Sequence, residues 1–156
     1  MTIQLRGHHL LCLLTYKGNG YTPDFSLNFN RIVRRLSRGE EAVIVAGADD
    51  VCQPMLCEPD FHCADDHSSE IDGQALADIG RLLDRDLSPG QRMVFDANNV
   101  KRLRQAFLTG EIRTACQSCS WLAHCNKIAE NDFRQTRLKP HTFEHDKQII
   151  AVNQLL

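Results

Sequence analysis

Three cysteines close together in the last third of the chain constrain the fold more than any other feature. The segment CQSCSWLAHC, residues 116–125, carries its thiols in a C-x2-C-x5-C pattern. Two intervening residues bring the first two sulfurs to one side of a tight turn, and a following helix can return the third sulfur to the same point. Thiolates are soft ligands that select zinc, copper(I) or iron–sulfur clusters. We therefore predict that Cys116, Cys119 and Cys125 bind metal.

The total number of cysteines argues against a disulfide scaffold. The chain has 156 residues and seven cysteines, an odd number that cannot be fully paired within one chain. A domain of this length buries ~68–70% of its unfolded surface, so it can form a core without disulfides. The apolar run LLCLL is shorter than the ~7–15 residues of a signal-peptide core, and no segment approaches the ~18 apolar residues of a membrane span. We expect a cytoplasmic protein, in which closely spaced cysteines bind metal or do redox chemistry.

The charge balance gives no indication of a polyanionic partner. The chain carries 18 Lys and Arg residues against 20 Asp and Glu residues, for a net charge of -2. The basic segments RIVRRLSR and KRLRQ are typical of solvated helix faces, so we do not expect nucleic acid or a membrane as a partner. No phosphate loop, dinucleotide fingerprint or Ser-His-Asp signature is present, and no catalytic residue is assigned. The expected partner is a redox protein or a small-molecule substrate.

Local patterns predict a single α+β domain over residues 1–156, mostly helical, with a short strand or small sheet and cysteine-bearing loops. Thr22, Pro23 and Gly39 are suited to cap, begin and end the clearest helix. Asp96 and Gly110 bracket another helix in the same way. Further helices are predicted in HHLLCLLTYKG, in SSEIDGQALADIGRLLDRD and over roughly 121–131, and short strands in TIQL, EAVIVAG and SPGQRMVF.

A second group of cysteines lies in the segment DDVCQPMLCEPDFHCADDHSS, for which we predict an irregular loop. Pro54 and Pro59 interrupt any helix there. The spacing C-x4-C-x5-C differs from the C-x4-C-x2-C of plant-type ferredoxins. Incidental thiols in a loop remain an alternative to metal ligands. The candidate ligands in this segment are Cys52, Cys57, His62, Cys63 and His67.

The opening RGHHLLC holds a further candidate. On a helix, Cys12 lies four residues after His8 and three after His9, so a thiol and an imidazole can share one face. The alternative is a core helix with a buried cysteine. A cysteine nucleophile activated by a neighbouring imidazolium is also conceivable.

The identity of a fourth ligand for the cysteines of residues 116–125 is open at this point. Their spacing looks like the last three ligands of the cluster loop in the endonuclease III class of DNA glycosylases, but Thr109 stands where that loop has its first cysteine. We rank Cys52 first, because the preceding strand AVIVAG can hold it rigidly, and Cys63 second. Cys12, Cys57, a histidine and an open iron are the remaining alternatives.

Four separated motifs together resemble a known family. RGHHLLCLLTYKGNGY, DDVC after a strand, HC ten residues on and CQSCSWLAHC are similar in order to the bacterial and archaeal domain of unknown function 1284 family, whose members are often described as iron–sulfur proteins. The resemblance covers residues 5–138 and leaves 139–156 as a C-terminal extension. It implies six metal-binding cysteines and an opening motif of Arg6, Gly7, His8 and His9. The six cysteines are Cys12, Cys52, Cys63, Cys116, Cys119 and Cys125.

Two functions are compatible with these residues. The resemblance implies a protein that binds an iron–sulfur cluster, 4Fe–4S in type, for electron transfer, redox sensing or a cluster-dependent reaction. The alternative is a zinc-stabilised structural or interaction module without catalysis. In either case we predict that His8 or His9 lies near the metal and tunes or ligates it. Arg6 is predicted to supply charge-assisted hydrogen bonds nearby.

Overall fold

The computed structural model describes residues 2–18, 22–55 and 66–140. The architecture is α+β and mostly helical with a small sheet, as the sequence predicted. Three candidate ligands, Cys57, His62 and Cys63, lie outside the described residues, as does the chain after Pro140. The strands are β1 (Ile3–Leu5), β2 (Ala42–Ile44) and β3 (Arg92–Met93). The helices are α1 (Gly7–Thr15), α2 (Pro23–Ser37), α3 (Asp66–Leu83), α4 (Ala97–Thr109) and α5 (Leu122–Glu130).

The sheet is mixed and has the order β1-β2-β3. β1 runs parallel to β2, with Ile3 opposite Ala42 and Leu5 opposite Ile44, and β2 runs antiparallel to β3. A parallel pair requires a long crossover connection, which here contains α1 and α2. The four side chains of the parallel pair named above are fully buried. The sheet therefore places the start of α1 and the end of β2 at the same edge.

Local capping chemistry sets the start of α2 and both ends of α4 as the sequence predicted. The Thr22 hydroxyl oxygen accepts the Phe25 N–H at 3.1 Å, and Pro23 is the first residue of α2. The Asp96 carboxylate accepts the Asn99 N–H at 2.8 Å at the start of α4. Gly110 ends that helix in the left-handed region, with φ +86°.

The first turn of α1 packs directly against the backbone of α3. A side chain at Gly7 would collide with the carbonyl oxygen of Asp72, so glycine is required for this close approach. Most of the remaining helix is apolar, and its leucines are buried in the core. They are Leu10, Leu11, Leu13 and Leu14. The packing brings the histidines that follow Gly7 against α3.

The predicted irregular loop begins with local structure that the sequence reading missed. Asp50–Met55 forms a 3₁₀ helix that contains Pro54 and buries Val51 and Cys52. The preceding Asp49 stabilises this turn, because its carboxylate and its carbonyl oxygen both accept the Cys52 N–H, at 3.2 and 3.1 Å. Proline interrupts an α-helix but is tolerated in so short a segment.

Candidate functional site

A cavity of about 300 Å³ lies between α1, the segment of residues 116–125 and the start of α2. Its walls are largely apolar and aromatic, a character that is typical of small-molecule and cofactor sites. Of the five cysteines in the described part of the chain, four line this cavity. They are Cys12, Cys116, Cys119 and Cys125. The structure thus brings the thiol of α1 together with the three thiols of the C-x2-C-x5-C pattern.

The exposure and the pKa of Cys12 both depend on its position at the cavity beside the other thiols. Its side chain is exposed, and the exposed surface borders the cavity, while protein atoms surround its other sides. Burial raises the pKa of the Cys12 thiol well above its ordinary value, and the proximity of Cys116, Cys119 and Cys125 raises it further. Burial and neighbouring thiolates both oppose the ionisation of Cys12, Cys116 and Cys125 in the absence of a cation. A metal centre would provide that positive charge and hold them as thiolates.

The segment 116–125 begins in a turn and ends in a helix. Cys116 closes a 3₁₀ turn, and its carbonyl oxygen accepts the Cys119 N–H at 3.1 Å. The Trp121 N–H points at the Cys119 sulfur at 3.4 Å. Cys125 lies in the first turn of α5, where its sulfur is 3.3 Å from the Thr15 hydroxyl at the end of α1. This last contact ties the segment to the helix that carries Cys12.

Two aspartate–histidine pairs stand at another wall of the cavity. Nδ1 of His8 lies 2.6 Å from the Asp72 carboxylate on α3, and Nδ1 of His9 lies 2.7 Å from the Asp49 carboxylate. A carboxylate accepts hydrogen bonds, so Nδ1 of each ring carries the proton that it donates. Neither Nε2 is hydrogen-bonded within the described residues, and both rings line the cavity. The ring centroids are 4.4 Å apart.

Both carboxylates are kept ionised by their surroundings. Burial opposes the ionisation of Asp72, but hydrogen bonds from the side chain and backbone of His8 hold its pKa below the ordinary value. Burial likewise opposes ionisation of Asp49, and His9 and the Arg6 N–H outweigh it. Burial lowers the pKa of His8, so its ring is neutral at physiological pH. A neutral imidazole whose Nδ1 is held by a carboxylate is the usual state of a histidine that ligates metal through Nε2.

Arg6 connects the two pairs and does not line the cavity. Its guanidinium is fully buried and lies 2.9 Å from the Asp72 carboxylate, while its backbone N–H donates to Asp49 at 2.8 Å. The predicted charge-assisted hydrogen bond is therefore made to an aspartate. By fixing this aspartate, Arg6 helps to orient the histidine that the aspartate contacts.

Cys52, the first choice for a fourth ligand from sequence, lies in a different group. Its sulfur, a His9 ring nitrogen and an Asp49 oxygen all lie within 4.8 Å of one another, which makes a possible metal-binding group. Within residues 2–18, 22–55 and 66–140, no other set of three or more such side chains is as compact. Cys52 is fully buried and does not line the cavity. His9 belongs both to this group and to the lining of the cavity.

Two other residues considered in the sequence lie away from the cavity, and three buried residues at or beside the site were not predicted. The Thr109 hydroxyl donates to a carbonyl oxygen of its own helix at 3.1 Å, and His67 is exposed at the start of α3. Sequence reasoning did not single out Asp49, Asp72 or Arg113, all of which are buried at or beside the site. An acidic turn shortly after a strand was the available signal for Asp49, and a position three residues before Cys116 was the signal for Arg113.

The family comparison covers the central part of this arrangement. The family described as "Protein of unknown function (DUF1284)" matches residues 20–125, which is more than half of the chain. The chain belongs to this family. The matched segment includes Cys52 and the cysteines up to Cys125, and the RGHHLLC motif precedes it. No curated protein and no solved structure matched the chain.

Within the described residues, every helix is too short or too polar to cross a lipid bilayer.

Proposed function

We propose that this member of the family binds an iron–sulfur cluster of the 4Fe–4S type in the cavity. The observation that carries the proposal is that Cys12 borders the same cavity as Cys116, Cys119 and Cys125, although more than a hundred residues separate it from them. Four thiolates are the usual ligand set of such a cluster. When bound, the cluster would supply one-electron chemistry for electron transfer, redox sensing or a cluster-dependent reaction.

The spacing of the four sulfurs favours a cluster over a single ion. A tetrahedral zinc site with Zn–S bonds of ~2.3 Å holds its sulfurs about 3.8 Å apart. No three of the four cavity cysteines form a group in which all ligand atoms lie within 4.8 Å. A cluster places a different iron beside each thiolate, so it spreads its ligands more widely. The cysteines are therefore spaced more widely than a single zinc ion requires, which supports the larger cofactor.

We assign the fourth ligand to Cys12, ahead of Cys52. The Cys12 thiol faces the cavity, and the other three thiols lie close enough to raise its pKa. Cys52 is packed beside Asp49 outside the cavity lining. Cys63, the second choice from the sequence, lies outside the described residues.

The walls of the cavity suit a redox cofactor. Leu11, Phe25, Phe29 and Val51 provide apolar surface that limits the access of water, which is one of the factors that set a cluster's potential. His8 and His9 present free Nε2 atoms to the same space. We infer that these imidazoles tune the cluster or ligate a metal, as the opening motif suggested.

A second candidate function is a zinc-stabilised module, and the compact group of His9, Asp49 and Cys52 is the observation that favours it. Asp49 argues against this assignment. Its two carboxylate oxygens already accept hydrogen bonds from His9 and from the N–H groups of Arg6 and Cys52. A zinc ion would have to displace some of these bonds.

Metal analysis of protein expressed and purified without oxygen tests the proposal. We expect a brown protein with broad visible absorption and matching amounts of iron and acid-labile sulfide. Stoichiometric zinc without acid-labile sulfide would instead support the zinc-stabilised module. Aerobic material is a poor substitute, because Cys119 is exposed and oxygen would reach a cluster there.

A further inference from the structure

Arg113 is a buried cation that has no counter-charge among the residues that the structure describes. Its side chain borders the cavity and the residue is only 5% exposed. Nη1 donates to the Asn126 amide oxygen at 2.9 Å, and the guanidinium lies 3.9 Å from the centre of the Phe107 ring. Nε and Nη2 are buried and make no hydrogen bond with any residue that the structure describes. No aspartate or glutamate in that part of the chain forms an ion pair with it.

Such an arrangement is costly unless a negative group completes it. A charge that leaves water is normally paired with an opposite charge, and unmade hydrogen bonds of buried polar atoms add to the cost. The aromatic face of Phe107 and the neutral amide of Asn126 offset only part of this cost. The unsatisfied N–H groups therefore point to an anionic ligand at this end of the cavity.

The chain places Arg113 next to the thiols by a local turn. The Arg113 carbonyl oxygen accepts the Cys116 N–H at 3.0 Å, so the two side chains leave the same turn. Burial raises the pKa of the Cys116 thiol, and the neighbouring Arg113 guanidinium partly offsets that rise. The anion nearest to this guanidinium would be a Cys116 thiolate and whatever the thiolate binds.

We propose that Arg113 compensates the negative charge of the bound cluster and donates hydrogen bonds from Nε and Nη2 to the sulfur atoms at the Cys116 corner. This inference rests on the proposed function. Four thiolates and the cluster sulfides together outweigh the charge of the irons, so the bound cofactor is a net anion. It supplies the counter-charge that residues 2–18, 22–55 and 66–140 do not provide.

Two consequences of opposite sign follow. In the cluster-bound protein, Arg113 stabilises the anionic cofactor and favours its reduced, more negative state, so removal of the guanidinium should lower the reduction potential and speed cluster loss. In the cluster-free protein, the same guanidinium is uncompensated. Its replacement by an apolar side chain of similar length should then leave the chain as stable as before, or more stable.

Arg104 provides a matched control. It is half-buried and lies over the Phe133 ring at 5.3 Å, and that ring packs edge-on against Phe107. Unlike Arg113, Arg104 does not line the cavity. Its Nη2 donates to the carbonyl oxygens of Leu14 and Leu138 and to the Thr136 hydroxyl, whereas its buried Nε, like that of Arg113, has no partner among the described residues. Arg104 is therefore a structural arginine beside the same aromatic pair.

The experiment compares Arg113→Met, Arg113→Lys and Arg104→Met with the wild-type chain, all purified without oxygen. The measurements are iron and sulfide content, the rate of iron loss to a chelator, the potential from a visible redox titration and the melting temperature of the chelator-stripped protein. For Arg113→Met we expect iron loss about 10-fold faster or more, a more negative potential and an unchanged or higher melting temperature of the stripped protein. Arg113→Lys should lie between Arg113→Met and the wild type. Arg104→Met should lower the melting temperature and leave the potential unchanged.

The outcomes separate the two proposals. Wild-type protein without iron and sulfide would overturn the proposed function, and this inference with it. A wild-type cluster whose potential and iron loss do not change in Arg113→Met would overturn the role of Arg113 alone. So would a stripped Arg113→Met chain that melts as low as Arg104→Met or fails to fold, because Arg113 would then be a structural anchor like Arg104.

Discussion

Nδ1 of His8 lies 2.6 Å from the carboxylate of Asp72, and the backbone N–H of His8 donates to the same oxygen at 3.0 Å. The other oxygen of Asp72 accepts the Arg6 guanidinium. One carboxylate on α3 therefore fixes the backbone, the ring and the preceding residue at the start of α1. Because the ring is held before any ligand arrives, its orientation does not have to be fixed on binding.

Replacement of Asp72 by Asn should destabilise the protein. The Asn side chain keeps the shape but loses the charge that pairs with Arg6 and accepts the His8 bonds. We expect a loss of about 1–3 kcal/mol in the free energy of unfolding, measured by urea titration. Glu40→Gln is the control, because the Arg35–Glu40 pair is more exposed and its loss should matter much less. Equal effects of the two substitutions would show that Asp72 is not an organising residue.

The stabilisation by Asp72 should depend on pH with a defined sign. Its pKa in the folded protein lies below the ordinary value, because the hydrogen bonds from His8 outweigh the effect of burial. A depressed pKa contributes stability that is complete above the unfolded value of ~3.9 and is lost as the pH falls through the folded value. Arg6 and His8 are the charged or titratable groups that face it, and Arg6 stays charged throughout.

The measurement is the difference in unfolding free energy between wild type and Asp72→Asn across the acid range. We expect a difference that shrinks below about pH 4, and a separate change at the higher pH at which His8 becomes protonated. A difference that stays constant at the lowest pH at which both proteins fold would contradict the assigned protonation state.

Replacement by alanine should have opposite effects on stability at two glycines that lie on neighbouring surfaces. Gly7→Ala should destabilise the protein by about 1–3 kcal/mol, because the added carbon meets the Asp72 carbonyl oxygen and must push α1 away from α3. Gly73→Ala, in the next residue of α3, meets nothing within 4 Å. It should stabilise the helix by roughly 0.5–1 kcal/mol. Thermal unfolding of the two variants checks both signs, and a tolerated Gly7→Ala would mean that the helices are less closely packed.

Local chemistry predicted most element types and several helix ends, but it could not predict which distant segments meet. Thr22, Asp96 and Gly110 act within a few residues, so their roles are readable from sequence. The contact between His8 and Asp72 spans 64 positions and depends on the packing of α1 on α3. In the sequence, nothing in charge or polarity distinguishes Asp72 from the other acidic residues on α3.

The choice among candidates for the fourth ligand was limited in the same way, because the sequence does not show which distant segments meet. LLCLL is apolar on both sides of Cys12, so no periodic pattern indicates which face of α1 meets a cavity. The sequence favours Cys52 because this residue follows a strand that can support it. The structure does support Cys52 rigidly, but beside His9 and Asp49. The sequence thus shows that Cys52 is rigidly held. It does not show which way the Cys52 side chain points, because that depends on the sheet and on the packing of the helices.

The histidine pair can be tested by a substitution that separates its two contacts. In the double variant His8→Asn, His9→Asn, each amide nitrogen can take the place of Nδ1 and keep the bond to its carboxylate, while Nε2 is lost. We expect a small change in stability, on the order of 1 kcal/mol, together with a changed visible spectrum or reduction potential of the cluster. An unaltered spectrum and potential would assign both imidazoles a purely structural role.

The fourth ligand can be identified by comparing Cys12→Ser with Cys52→Ser. Serine keeps the size of the side chain but replaces a soft thiolate with a poor ligand for iron. Cys12 faces the cavity and Cys52 does not, so Cys12→Ser should lose most of its iron and sulfide, whereas Cys52→Ser should retain a wild-type spectrum. Cys52→Ser should still lower the melting temperature, because it puts a hydroxyl into a fully buried position beside Asp49. The reverse pattern of iron content would assign the ligand to Cys52, and full clusters in both variants would direct the search to Cys63, Cys57, a histidine or an open iron.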